Sequence, residues 1–475
     1  MRLLLLRSPF GSIRSAIGSK LFRLIFLSLS LLLIPFYSSY ALTSKTSNLI
    51  HGNAPYLTFD GGRTRAVNTD ALLGITLSDG TKYTPSTNTS STTPIVLPVT
   101  GQSFADIGML VPTNTDSVAL NELIGSPYNY WGDDDGDTDV TVTGSLSLSI
   151  VDKNNQPVSR NAIPEICKSP YQIKLTTTNG TLTTRYGIPS SSSFNANNAT
   201  YYINPNASAE VCFAKPSLNW NTDNYVGPPS IFDRKNGFLT QSVTPASYDL
   251  NFPTTGLHGL EFDLLISGNN QALSWSRVAL GGVVVSMTNS TPTSVHVTLS
   301  GPVATLSQKN SSNPGNIPRP ALPKTFELVG RDSNGNAVVK YGFTLKQWFV
   351  NRGDYQGTYN SNLSWCNHIG YRMPRVKDLT NATCQGFNSG EFCRGLVGAI
   401  PSSSHNTYQR RIGAGFFTEW GKMDDYSGAG FTYYNYKTSD LNLNGNAYFY
   451  VSASNGYVNY RDSNYNPGLC VSVDR

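Results

Sequence analysis

Four aspartates at alternate positions, Asp133, Asp135, Asp137 and Asp139, form the densest group of hard oxygen ligands in this 475-residue chain. Calcium takes about six to eight oxygens, and aspartates spaced along a turn offer several at once. The EF-hand register is not met, because Gly136 is misplaced and no glutamate closes the loop. A solvated acidic turn leading into a strand is the competing reading. Calcium is the one cofactor these residues suggest; otherwise none is expected. Two other constellations invite a catalytic reading. Cys366 and His368 lie close in sequence, but a cysteine–histidine dyad needs spatial geometry that a spacing of two does not supply. Glu261 and Asp263 alternate, so on a strand they share one face, as the paired carboxylates of a hydrolase would. An exposed strand face accounts for them equally. No catalytic residue is assigned, and the chain is expected not to be an enzyme.

The six cysteines are Cys167, Cys212, Cys366, Cys384, Cys393 and Cys470. None forms a Cys-x-x-Cys pair, and the five histidines are scattered, which argues against zinc. What the cysteines do depends on compartment, and the N-terminus speaks to that. Arg2, Arg7, Arg14, Lys20 and Arg23 make a basic, acid-free start, followed by an apolar run from Leu24 to Ile34. Ser39-Tyr40-Ala41 then offers small residues where a signal peptidase reads. Residues 1–41 are therefore read as a secretory signal, with the mature chain beginning Leu42-Thr43. The apolar run is shorter than the roughly 20 residues of a comfortable membrane span. An even number of cysteines in an exported chain reads as disulfides. Removing 1–41 also removes five basic residues, leaving 30 basic and 30 acidic. The mature chain thus has no net charge to attract nucleic acid, and no basic patch with interleaved aromatics is present.

The elements that must position these residues are mostly strands. Charged residues make up only 14% of the chain, low for a soluble domain, and Ser, Thr, Asn, Gly and Tyr fill the gap. Leu146, Leu148 and Ile150 alternate, as do Phe262, Leu264 and Ile266, and Val295, Val297 and Leu299. Period two marks half-buried strands. Asn179-Gly180, between Ile173, Leu175 and Leu182, predicts a tight hairpin. Val283-Val284-Val285 predicts a strand buried on both faces. Residues 42–303 are therefore expected to form a β-sandwich adhesion module. Pro314, Pro318, Pro320 and Pro323 give 304–325 the composition of an interdomain linker. Residues 326–475 change texture. An apolar stripe over Ser361–Tyr371 predicts a short helix, Asp378-Leu379 a second helical turn, and many late aromatics a sheet. The fold class is mainly β, with a smaller α+β domain at the end.

Two resemblances sharpen this. Trp131-Gly132 with the aspartate run, Tyr201-Tyr202-Ile203-Asn204-Pro205, Gly237-Phe238-Leu239-Thr240-Gln241 and Asn251-Phe252-Pro253-Thr254-Thr255-Gly256 resemble the adhesion domain of invasin- and intimin-related enterobacterial surface proteins. The segment Trp365-Cys366-Asn367-His368-Ile369-Gly370-Tyr371-Arg372-Met373-Pro374 through Leu379 resembles bacterial C-type lectin-like domains. Tyr436-Lys437-Thr438-Ser439 and the closing Leu469-Cys470-Val471 follow that family's order. The Glu-Pro-Asn or Gln-Pro-Asp triplet and the Trp-Asn-Asp of calcium-dependent sugar binders do not occur.

The resemblance implies an exported adhesin-like protein of the cell surface or medium, with the periplasm as the other destination. It implies attachment to a host-cell or matrix protein or a glycan. A structural component of the envelope and an envelope glycan-acting enzyme are the alternatives. The lectin-like pattern implies a Cys366–Cys470 bond tying the domain end to end, then Cys384–Cys393, leaving Cys167–Cys212 in the first module. Four cysteines allow three pairings, so the last two bonds could exchange partners. The C-terminal aromatics include core and contact residues, with Trp420, Tyr436 and Tyr457 taken as candidate ligand contacts.

Overall fold

The computed structural model describes residues 51–66, 68–136, 139–220, 222–432, 435–461 and 465–473. The 1–41 signal segment lies outside these residues. The molecule is mainly β and contains two separate apolar cores. The first takes its side chains from Leu72 to Ile203, the second from Val211 to Val471.

The first core is built on a five-stranded sheet in the order Ile95–Val96, Asn197–Asn204, Tyr171–Thr177, Ser145–Val151 and Ser117–Ala119. Leu146, Leu148 and Ile150 turn inward from the fourth of these, as the alternation predicts. The second sheet of the sandwich pairs Gly180–Thr183 with Ser191–Phe194 and Thr141–Val142. The expected hairpin at Asn179-Gly180 is absent. Strands Tyr171–Thr177 and Gly180–Thr183 belong to different sheets, so the chain crosses the sandwich there. Gly180 is needed for another reason. A Cβ at this position would lie 2.4 Å from the Thr143 carbonyl oxygen and 2.3 Å from the Phe194 ring.

The second core opens with a seven-stranded sheet in the order Phe232–Asp233, Gly237–Leu239, Glu210–Lys215, Glu261–Ser267, Ser294–Ser300, Val283–Thr288 and Val278–Leu280. Phe262, Leu264, Ile266, Val295, Val297 and Leu299 all turn inward. Val284 is only half-buried between buried Val283 and Val285. That strand therefore has one wet face, not two dry ones.

The expected linker is also corrected. Residues 304–325 join two parts of one core, not two domains. Ala304 and Ile317 are buried in it. Trp365 Nε1 donates to the Gln308 carbonyl at 2.9 Å, Tyr371 Oη to that of Pro318 at 3.0 Å, and Arg352 Nε to that of Lys309 at 3.0 Å. Prolines withhold N–H donors but leave carbonyls free. Side chains of the later elements take the carbonyls of Pro318, Gln308 and Lys309, which anchors a stretch whose composition suggests a spacer.

Strand Gln347–Gly357 then runs parallel to Thr255–Leu257 and antiparallel to Asn466–Val471. The packing boundary lies between Asn204 and Glu210, where the first core's last strand gives way to the second core's sheet. Cys167 and Cys212 are bonded across it.

Candidate functional site

The C-terminal segment builds its scaffold from the residues that carry the lectin-like resemblance. The helix Tyr359–His368 starts at Thr358, whose hydroxyl accepts from the Ser361 N–H at 3.2 Å. Asn362, Trp365 and Cys366 face inward. Cys366 bonds to Cys470 on the last strand, and Cys384 to Cys393. Cys366 therefore has no free thiol, and the Cys366–His368 dyad has no nucleophile. Arg372 holds Asp378 through contacts of 2.6 and 3.2 Å, and Asp378 also accepts from the Arg375 N–H at 2.6 Å. These motif residues clamp the second helical turn, Val376–Leu379, and do not reach outward.

Two charged groups lie deep in the same core. Glu419 is fully buried and accepts from the backbone N–H and hydroxyl of both Thr254 and Thr255, and from the Gly413 N–H. Burial pushes its carboxyl up, and those donors offset that only in part, so its pKa is raised. Arg410 is also buried. It donates to the Ser217 carbonyl and lies over Phe232 and Phe238. Burial lowers its guanidinium below the ordinary arginine range.

The expected contact aromatics need correction. Trp420 and Tyr436 are wholly buried. Trp420 Nε1 donates to the Thr255 carbonyl at 3.0 Å, and its ring packs edge-on against Phe252. Tyr436 packs among Phe417 and Phe431. Both fill the core, because helix Phe416–Trp420 is buried on every side. Tyr457 is half-buried, with its hydroxyl accepting from Asn459 Nδ2 at 2.8 Å.

The exposed apolar groups of this module include the aromatics Tyr355, Phe387 and Tyr465 as well as aliphatic side chains. Val397 is 69% exposed, Ile400 83%, Leu441 44% and Leu443 74%. Gly395 and Leu443 abut, and Val397 lines a shallow groove of about 450 Å³ with Arg375, Lys377, Ser439 and Asp440. Val397 thus stands beside basic Arg375 and Lys377 and acidic Asp440.

The aspartates at 133–139 are spread over separate tasks. Asp133 accepts from the Asp135 N–H at 2.8 Å. Asp134 accepts from Tyr56 Oη at 3.0 Å and pairs with Arg65. Asp135 accepts from the Asn53 N–H at 2.7 Å, and Asp139 faces Arg185 at 3.5 Å. Asp137 lies outside the described residues. Among the described residues, no three His, Cys, Asp or Glu side chains group to hold a metal.

Glu261 and Asp263 do share a face, and the facing strand sets His296 between them. His296 Nδ1 lies 2.8 Å from Asp263 and Nε2 3.3 Å from Glu261. Burial lowers the imidazole, but the hydrogen bonds and charges of Asp263 and then Glu261 outweigh it, so its pKa is raised. Both ring nitrogens of His296 are thus engaged by the two carboxylates, which ties the three side chains together.

Solved structures of invasin and intimin are similar to this chain. The invasin structure, described as a bacterial integrin-binding protein, is 13% identical, with 72% of this chain and 52% of that one covered, at a TM-score of 0.35. The chain thus spans about half the length of that structure. A 282-residue C-terminal intimin fragment, in complex with the intimin-binding domain of the translocated intimin receptor, is 11% identical. That match covers 71% of this chain and 100% of the fragment, at a TM-score of 0.31. An intimin domain from enteropathogenic E. coli is 16% identical over 47% of this chain and 90% of its own, at 0.24. No protein-family model matches the chain, and no curated protein does.

Sequence reasoning missed Glu419, Arg410 and His296. His296 was legible, since alternation puts it on the same wet face of its strand as Ser294 and Thr298. Glu419 was not, because its partners are 165 and 164 residues away.

Proposed function

We propose that the chain is an exported, adhesin-like binding protein that attaches to a host-cell or matrix protein or glycan without catalysis. One observation carries this reading. The C-terminal module spends its motif residues on scaffold, sets exposed Val397 beside Arg375 and Lys377, and leaves Ile400, Leu441 and Leu443 exposed as well. Grouped exposed aliphatic side chains mark interaction surfaces. The lectin-like segment Trp365–Leu379 and the adhesion-like stretch Asn251–Gly256 support it, since both build the second core. The binding face moves from Trp420 and Tyr436 to the aliphatic end. The test uses the whole mature chain on cells, matrix proteins and a glycan array. Leu443→Asp with Ile400→Asp should weaken a bound target by about 30-fold, the scale of a lost hot spot. Undiminished binding by that variant would overturn this choice of face. Chelator should leave the affinity unchanged.

A further inference from the structure

A second surface lies far from this end in the sequence, at the junction of the two cores. A groove of about 850 Å³ runs between them. Ala162, Ile163 and Ile166 line one wall, and Val211, Phe213 and Val243 the other. Ile163 is 61% exposed and Val243 66%, so an aliphatic residue from each side stands in water. The Cys167–Cys212 bond is a covalent link that ties the two walls of the groove to each other. Junctions between structural units are where preformed ligand clefts of this size concentrate.

The polar lining is acidic. Asp152, Glu165, Glu210 and Asp233 line the groove, against Lys168. Glu165 is matched by Lys168 at 2.8 Å. Among the described residues, Asp152, Glu210 and Asp233 have no cationic side chain within ion-pair distance. The chain itself shows what such a setting accepts. The Lys153 ammonium lies 5.3 Å over the Phe213 ring; burial lowers its pKa, and the charges of Asp233 and then Asp152 offset that in part. A cation held over an aromatic face near carboxylates is a favourable arrangement in a partly dry groove.

We propose that this groove binds a peptide segment carrying both aliphatic and basic side chains. The aliphatic groups cover Ile163 and Val243, and the basic groups meet Glu210 and Asp233. This proposal does not depend on the adhesion reading, because it uses other residues. The probe is a fluorescein-labelled peptide of about ten residues alternating leucine and lysine, titrated into the mature protein by anisotropy. Two control peptides replace lysine by glutamate, or leucine by serine. Both controls should bind at least about tenfold more weakly, because each removes one half of the complementarity. Glu210→Gln with Asp233→Asn should weaken the leucine–lysine peptide about fivefold or more, and Ile163→Ser with Val243→Ser likewise. Both double variants alter exposed or rim groups, so near-UV circular dichroism should match the parent. No binding of the leucine–lysine peptide, equal binding of either control, or full binding by both variants would overturn the proposal.

Discussion

Glu419 carries the largest single electrostatic liability in the second core. A buried carboxylate is tolerated only when its lone pairs are filled, and here Thr254, Thr255 and Gly413 fill them. Glu419→Gln keeps the shape but turns one acceptor oxygen into an NH₂ that faces donors. The expected loss is about 2–4 kcal/mol, read from urea unfolding, with the sheet content retained at low denaturant. His296 gives a pH signature of opposite character. Its folded pKa is raised, so its contribution is complete below the unfolded value near 6.5. That contribution fades as pH rises through the higher folded value. The stabilisation is small, roughly 0.5–1 kcal/mol, because Glu261 and Asp263 are partly exposed. Stability curves at pH 5.5 and 8.5 should differ by that amount in the parent and converge in His296→Gln. A variant that keeps the parent's full pH difference would remove His296 as its source.

At the scale of elements, alternation was the most readable signal. Strands with one wet and one dry face announced themselves at Leu146–Ile150, Phe262–Ile266 and Val295–Leu299, because period two is imposed locally by the backbone. The hairpin at Asn179-Gly180 misled because the same glycine serves a close approach, and only the partner strand distinguishes the two uses. The aromatics misled for a related reason. Trp420 and Tyr436 have the composition of a recognition surface, yet the sheet and helix around them close on every side. Which face an aromatic turns to depends on contacts distant in sequence, such as Trp420 with Thr255. The Cys366–Cys470 bond joins the helix Tyr359–His368 to the last strand, at a sequence separation of 104. Loop-closure reasoning gives about 4–5 kcal/mol for a link of that length, before any strain. Replacing both cysteines by alanine should lower urea stability on that scale. The same change at Cys384 and Cys393, only 9 apart, should cost clearly less. Equal losses would contradict an origin in the unfolded chain.

The whole molecule divides where packing divides, not where composition does. Prolines and polar residues at 304–325 suggested a boundary, but the core continues through it from Val211 to Val471. Three kinds of contact cross the supposed boundary. Strand Thr255–Leu257 pairs with Gln347–Gly357, Thr254 and Thr255 donate to Glu419, and Phe252 and Phe262 pack on Trp420. A fragment of residues 326–475 would therefore expose Trp420 and leave Glu419 with most of its donors missing. Unfilled acceptors and a bared aromatic face are each worth kilocalories, and a module of this size has about 5–15 kcal/mol to lose. A fragment of residues 206–475 cuts the Cys167–Cys212 bond, the short Pro205–Ala209 connection and a few contacts such as Lys153 over Phe213, but it retains one complete core. With Cys212→Ser to avoid a stray thiol, it should unfold in a single cooperative urea transition and keep a near-UV signal from its buried tryptophans. The 326–475 fragment should show neither. A cooperative transition in the shorter fragment would mean that the C-terminal module stabilises itself, and that the contacts with Thr254, Thr255 and Phe252 are docking contacts added to a finished fold.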